Sequence, residues 1–221
     1  MNARLTVGII GAGKVGTTIG RLALAADHRV LYLGSPRQQN FQFLLDIMVP
    51  GAVSVGSTRD LVQEADIIVL AVPFSRSVEL DYDRFDGRVV IDAMNYWSAV
   101  DGDDANADTA DGGTSILISA RNPRARWVKS LNHLGYHDME AALLSGPDSS
   151  ARAIGVASDD DLAKDLVASF IRSVGLDPVD AGSLADGRRL QTGSPVFGRE
   201  LTRELFESML LADEVRAKAF P

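Results

Sequence analysis

Gly11-Ala12-Gly13-Lys14-Val15-Gly16 sets three glycines at the spacing G-x-G-x-x-G. The motif follows the apolar run from Leu5 to Ile10 and opens a stretch in which Val15, Ile19, Leu22 and Ala26 recur at helical spacing. In a strand-turn-helix context each glycine has its own task. The first makes the tight turn, the second lets the backbone approach a pyrophosphate, and the third lets the helix close on the strand. The helix N-terminus adds free N–H groups and a partial positive charge. Gly11, Gly13 and Gly16 are therefore expected to hold a dinucleotide.

The end of the second strand, about twenty residues further on, decides which dinucleotide, because an NAD site carries a carboxylate there for the ribose hydroxyls. This chain reads Tyr32-Leu33-Gly34-Ser35-Pro36-Arg37 instead. Ser35 can donate to phosphate oxygens and Arg37 can clamp them with two N–H groups, so NADP is expected. Two further segments, Ala71-Val72-Pro73-Phe74 and Asp92-Ala93-Met94-Asn95, end apolar strands at the carboxyl edge where open α/β sheets bind ligands. Phe74 is read as lying along the adenine or pyrophosphate crevice, or else as plain core. Asn95 is read as facing the nicotinamide region, or else as capping the turn.

Dehydrogenases of alcohols and hydroxy acids need a proton-transfer residue beside the carbinol. The candidates are few. Lys14 sits in the glycine loop, Lys129 in an apolar strand, and Lys164 and Lys218 on expected helix faces. The chain has 3 histidines, and His28 precedes the second strand, away from the nicotinamide end. His133 and His137 remain. Their spacing imitates a zinc pair, but Gly135 between them and the missing H-E-x-x-H argue against metal. Asp104-x-Asn106-x-Asp108 imitates a calcium loop, yet Thr109 stands where the turn needs Gly and Ser115 where a bidentate Glu belongs. No metal is expected. With 0 cysteines, thiolate chemistry and disulfides are excluded. A hydride acceptor that needs little acid-base help, such as a flavin-like ring, suits this set of residues.

The elements that must position these residues alternate short β-branched runs with helical stretches, the mark of a mostly parallel sheet with helices on both faces. Strands are expected at Leu5–Ile10, Arg29–Leu33, Val53–Val55, Ile67–Val72, Val89–Asp92, Trp127–Leu131, Ala153–Ala157 and around Pro178-Val179. Helices are expected at Lys14–Ala26, Gln39–Met48, Ser57–Ala65 with Ser57 as N-cap, and Asp160–Val174. Ser98 to Gly113 reads as an acidic surface loop. A last helix, Gly198–Ala217, is expected to bury Leu201, Leu205, Met209, Ala212 and Val215. The fold class is thus a Rossmann-type, doubly wound α/β domain with a C-terminal helical extension. It is read as one domain over 1–221: a nucleotide half (1–120), an acceptor-side half (121–197) and the last helix (198–221).

The 221 residues are 46% hydrophobic and 24% charged, a composition that can build a sizeable core. A net charge of −8 argues against general nucleic-acid or anionic-membrane binding. No apolar run approaches the ~18 residues of a membrane span, and no secretory leader is visible at Met1 to Gly8, so a cytoplasmic protein is expected. The last helix could cover the sheet or a second subunit, which makes a homodimer conceivable.

Five segments together resemble the family of NADPH-dependent reductases of the deazaflavin coenzyme F-420, shared with the reductase domain of some membrane ferric reductases. They are Val7 to Gly16, Gly34 to Arg37, Leu70 to Pro73, Lys129-Ser130-Leu131-Asn132-His133 and Asp180-Ala181-Gly182-Ser183-Leu184. The resemblance implies that Gly11, Gly13, Lys14, Val15 and Gly16 hold the pyrophosphate, Ser35 and Arg37 the 2′-phosphate, and that Val72 and Pro73 wall the nucleotide. It places Asn95 and His133 near the nicotinamide and the second ring, and it implies hydride transfer to a small-molecule redox acceptor, coenzyme F-420 or a flavin. Pro36 departs from the close relatives' pattern, and the acidic stretch from Asp101 to Asp111 gives no support to an anionic tail. An imino- or hydroxy-acid reductase and a non-catalytic NADPH sensor are the competing readings.

Overall fold

The computed structural model describes residues 3–34, 40–103, 113–144 and 152–219. Eight strands form one sheet: β1 (Thr6–Ile10), β2 (Arg29–Leu33), β3 (Val53–Val55), β4 (Ile67–Leu70), β5 (Val89–Asp92), β6 (Arg126–Ser130), β7 (Ala153–Ala157) and β8 (Asp177–Asp180). Their order is β3-β2-β1-β4-β5-β6-β7-β8. Every pairing is parallel except β6 with β7, where Lys129 lies opposite Ala157. The order of the first six strands is that of the dinucleotide fold, with its switch point between β1 and β4. The expected doubly wound, mostly parallel α/β architecture is thus the one observed.

Strand side chains alternate between two apolar layers, as strands covered on both faces require. Val7, Ile9, Ile67, Val69, Val89 and Ile91 pack under α1 (Lys14–Ala25) and α7 (Asp161–Ser173), against Ile19, Leu22, Val167 and Phe170. Their neighbours Ile10, Ile68, Leu70 and Val90 face Leu61 of α3 (Thr58–Glu64) and the aromatic group Phe74, Tyr82, Phe85 and Trp127. Ser57 caps α3 as expected, its hydroxyl accepting from the Asp60 N–H at 3.2 Å. The other described helices are α2 (Phe41–Met48), the single turn α4 (Ser98–Asp101), α5 (Thr114–Ser119), α6 (Tyr136–Leu144) and α8 (Arg203–Ala219). The calcium-like Asp104-x-Asn106-x-Asp108 lies outside the described residues. No helix among the described residues is long and apolar enough to cross a membrane.

Two helices are held in place by polar contacts as well as apolar ones. On α5 the buried faces are Thr114, Ser115 and Ile118, and the two hydroxyls meet Gln191 and Asp92. On α6, Glu140 accepts from Thr18 at 3.1 Å and Arg21 at 2.7 Å on α1, and Met139 is buried.

The C-terminal helix departs from its expected phase. It begins at Arg203, whose guanidinium is paired with Asp177 and donates to the Pro178 carbonyl on β8, so the first turn is pinned with Phe206 and Leu210 inward. These two pack on Val179, Leu190 and Val196 as a third core, while Leu205 is 54% exposed. The expected stripe through Leu205 and Ala212 is therefore one position out of phase. Phe206→Ala should cost about 3–5 kcal/mol in urea unfolding and Leu205→Ala less than about 0.5 kcal/mol.

Candidate functional site

The glycine motif follows β1 and runs into α1. Gly11 has φ +114°, a conformation side chains rarely adopt, and a Cβ there would run into the Ala71 carbonyl. A Cβ on Gly16 would strike the Gly11 carbonyl, so the two outer glycines are consumed by the closeness of loop, helix and β4. Gly13 is different. A Cβ there would meet nothing within 4 Å, yet Gly13 is the N-cap of α1, with no side-chain cap and no acidic residue in the first turn. The first-turn N–H groups are thus aimed at open space, an anion cradle that a dinucleotide pyrophosphate fits.

From this cradle a cavity of about 520 Å³ extends along the carboxyl edge of the sheet. Gly13, Lys14 and Val15 line one end; Val72 and Pro73 form a wall after β4; Met94 and Asn95 lie at the end of β5. The Lys14 ammonium stands 5.1 Å from the centre of the Tyr136 ring. Phe74, by contrast, is 8% exposed, packs edge-on to Tyr96 at 5.9 Å, and lines a separate hollow with Arg121. It belongs to the core, the second of its two readings. β2 ends at Leu33 and Gly34 without a carboxylate, and Ser35 and Arg37 lie outside the described residues.

Asn95 is locked to the end of β6. Its amide donates to the Asn132 carbonyl at 2.8 Å and accepts from the Asn132 side chain at 2.9 Å, while Asn132 also donates to the Leu190 carbonyl. The chain reaches Asn132 through Leu131, which is buried at φ +60°, a left-handed conformation that costs a non-glycine residue ~1–3 kcal/mol. This bend turns residues 132 to 136 along the cavity.

His133 does not meet the expectation of an acid. It is 1% exposed, its Nε2 accepts from the Gly155 N–H on β7 at 3.0 Å, and its ring lies 5.1 Å from that of Phe206. Burial lowers its pKa from the ordinary 6.5 to about 3, so near neutral pH it is an uncharged imidazole with the proton on Nδ1. His137 sits on α6 with its ring 4.1 Å from Tyr136. His28 bonds Ser173 at 2.7 Å and accepts from the Leu5 N–H, and burial lowers its pKa also.

The sheet edge is tied together by a charged pair that reading the strand as plain core overlooks. Lys129 on β6 is 0% exposed and Asp92 on β5 is 1% exposed, with Nζ 3.3 Å from Oδ2. Asp92 also accepts from Ser115 of α5 at 2.6 Å and from the Met94 N–H at 3.0 Å, and Lys129 donates to the Met94 carbonyl. Both backbone groups of Met94 are thus gripped beside the cavity. A Cβ on Gly187 would come within 2.9 Å of the Lys129 side chain, so the turn over Ala185–Leu190 seals the pair from water. Burial pushes the Lys129 pKa down and Asp92 pushes it back up. The signal available in the sequence was a lysine and an aspartate at the carboxyl ends of neighbouring apolar strands.

Lys129→Met leaves Asp92 buried and unpaired, and should cost about 3–5 kcal/mol in chemical unfolding. Adding Asp92→Asn should recover most of that loss, since the remaining amide still accepts from Met94. For His133, the folded protein binds fewer protons than the unfolded chain between about pH 3 and the ordinary 6.5. Its contribution is complete above pH 6.5 and is lost as pH falls, at up to about 1.4 kcal/mol per pH unit. His133→Gln, which keeps an acceptor for Gly155, should flatten the acid limb of the stability curve by that slope.

Residues 6–96 match the family described as NADP oxidoreductase, coenzyme F-420-dependent. Over 90% of this chain and 95% of the other, the fold matches a hypothetical protein from Sinorhizobium meliloti at 25% identity and a TM-score of 0.73. A candidate F-420-dependent NADP reductase from Arthrobacter sp. FB24 matches 96% of this chain and 93% of its own, at 20% identity and a TM-score of 0.66, which speaks for the fold. A glyoxylate reductase of Pyrococcus horikoshii is 34% identical over 71 residues, 32% of this chain, and the match spans 20% of that relative's length. The cradle at Gly13 and strands β1 to β5 sit within the matched segment, so residues 6–96 are similar to the NADP oxidoreductases described as coenzyme F-420-dependent.

Proposed function

We propose that this chain is an oxidoreductase that passes a hydride between NADP(H) and a deazaflavin or flavin, both rings lying in the cavity at the carboxyl edge. The observation that carries this reading is the state of His133. The one histidine that lines the cavity is held neutral with Nε2 already engaged, and the buried Lys129 is paired with Asp92. Reduction of a carbonyl or an imine calls for a proton donor beside the reacting carbon, whereas a flavin-like ring accepts a hydride directly and takes its proton at a ring nitrogen from solvent. The C4–H bond of NADPH breaks with its electron pair, a bond to hydrogen forms on the acceptor, and NADPH leaves as NADP⁺.

The protein's share is placement. Gly13 and the first turn of α1 hold the pyrophosphate; Val72 and Pro73 limit the nucleotide on one side; Met94 and Asn95, gripped by Lys129, Asp92 and Asn132, set the floor beneath the nicotinamide. NADP over NAD rests on Ser35 and Arg37 in place of a carboxylate.

Steady-state oxidation of NADPH with a 5-deazaflavin, FMN or riboflavin tests the reaction, and turnover only with small imines or oxo acids refutes it. NADPH should bind at least about tenfold more tightly than NADH, a difference of ~1.4 kcal/mol, and Arg37→Ala should erase most of it. Equal affinities in the wild type refute the cofactor assignment. A Cβ on Gly13 would meet nothing within 4 Å, so Gly13→Val should stay folded by circular dichroism, yet lose nucleotide binding in an isotherm on the same sample.

A further inference from the structure

Two aromatic rings stand in the same cavity as Gly13 and Asn95: Trp97 and Phe197. Their centroids are 5.7 Å apart with planes at 67°, so they meet edge to face, a contact that occupies one face of one ring and leaves the opposite face of that ring free of the pair. Trp97 is 50% exposed, a large apolar area left to water. Its backbone is nevertheless held firmly. The Trp97 N–H donates to Asp101 Oδ2 at 2.9 Å, and Asp101 Oδ1 accepts from the Ser75 N–H at 2.9 Å, which ties the turn of α4 to the segment after β4. On the other side the Gly198 N–H, next to Phe197, donates to the His133 carbonyl at 2.7 Å. A fixed backbone carrying an exposed indole over an apolar cavity is a preorganised surface for a flat ring.

We propose that Trp97, backed by Phe197, is the stacking platform for the acceptor ring and selects it by its π-face. This rests on the hydride-transfer reading above. Trp97 is a specificity-determining residue for the acceptor and takes no part in holding NADPH, whose pyrophosphate cradle lies at the Gly13 end of the cavity.

The test uses the full chain as wild type, Trp97→Ala and Trp97→Phe, with riboflavin as the acceptor. Trp97→Ala should raise the KM for riboflavin on the order of tenfold, with the Kd for NADPH within about twofold of wild type; Trp97→Phe, which keeps a ring, should restore most of the affinity. The chain has 2 tryptophans, and Trp127 is buried with its indole N–H on the Asn122 carbonyl, so riboflavin should quench emission in wild type and much less in Trp97→Ala. An unchanged riboflavin KM and quench in a folded Trp97→Ala overturns the platform while leaving hydride transfer standing. Equal losses of riboflavin and NADPH affinity overturn it too, by making Trp97 a structural residue. Absence of wild-type turnover with riboflavin, FMN and a 5-deazaflavin overturns the hydride-transfer reading and the platform with it.

Discussion

A charged pair sealed inside the sheet governs the working edge of this protein. Lys129 and Asp92 lie on adjacent strands with no access to water, where an ion pair survives only if its remaining hydrogen bonds are met. They are met by Ser115 from one side and by the backbone of Met94 from the other. The requirement to satisfy two buried charges therefore dictates where the chain leaves β5, where α5 docks, and how tightly the turn at Gly187 must close. Apolar residues of equal volume would fill the same space without fixing the Met94 peptide. The energetic burden of burying the pair is offset by a rigid floor for the cavity.

That floor explains how a site with so little acid-base equipment can be arranged for chemistry. Asn95 and Asn132 exchange amide hydrogen bonds across the ends of β5 and β6, and the strained Leu131 turns the following residues along the cavity. His133 supports this from behind by accepting the Gly155 N–H, a task for which its neutral form is required. The ring-to-ring transfer proposed for this site needs alignment more than proton supply, and a backbone fixed in this way suits that need.

Much of the fold could be read from residue order. The strands fell within a residue or two of their expected bounds, because parallel strands buried on both faces are continuous apolar runs, and the glycine motif marked the turn from β1 into α1 by spacing alone. The site was less legible where polar contacts replace hydrophobic pattern. α5 and α6 are seated in part by hydroxyls and a carboxylate, through Ser115, Thr114 and Glu140, so periodicity passes over them. Phe74 was ambiguous because an aromatic at a strand end serves core and ligand equally. The phase of α8 depends on Arg203 finding Asp177, a partner on β8 that no local pattern announces. His133 lines the cavity, but its environment, and so its charge, is a property of β7 and α8 packing around it.

The claim on which this account turns is direct transfer between two rings held by the protein. The sharpest test is to supply NADPH carrying deuterium at the transferred C4 position, with a 5-deazaflavin as acceptor, because a C–D bond formed at its C5 does not wash out in water. Full retention of the label in the reduced deazaflavin, with a primary isotope effect on single-turnover rate, is the predicted result. Label appearing in solvent, or turnover confined to imines and oxo acids, would contradict it.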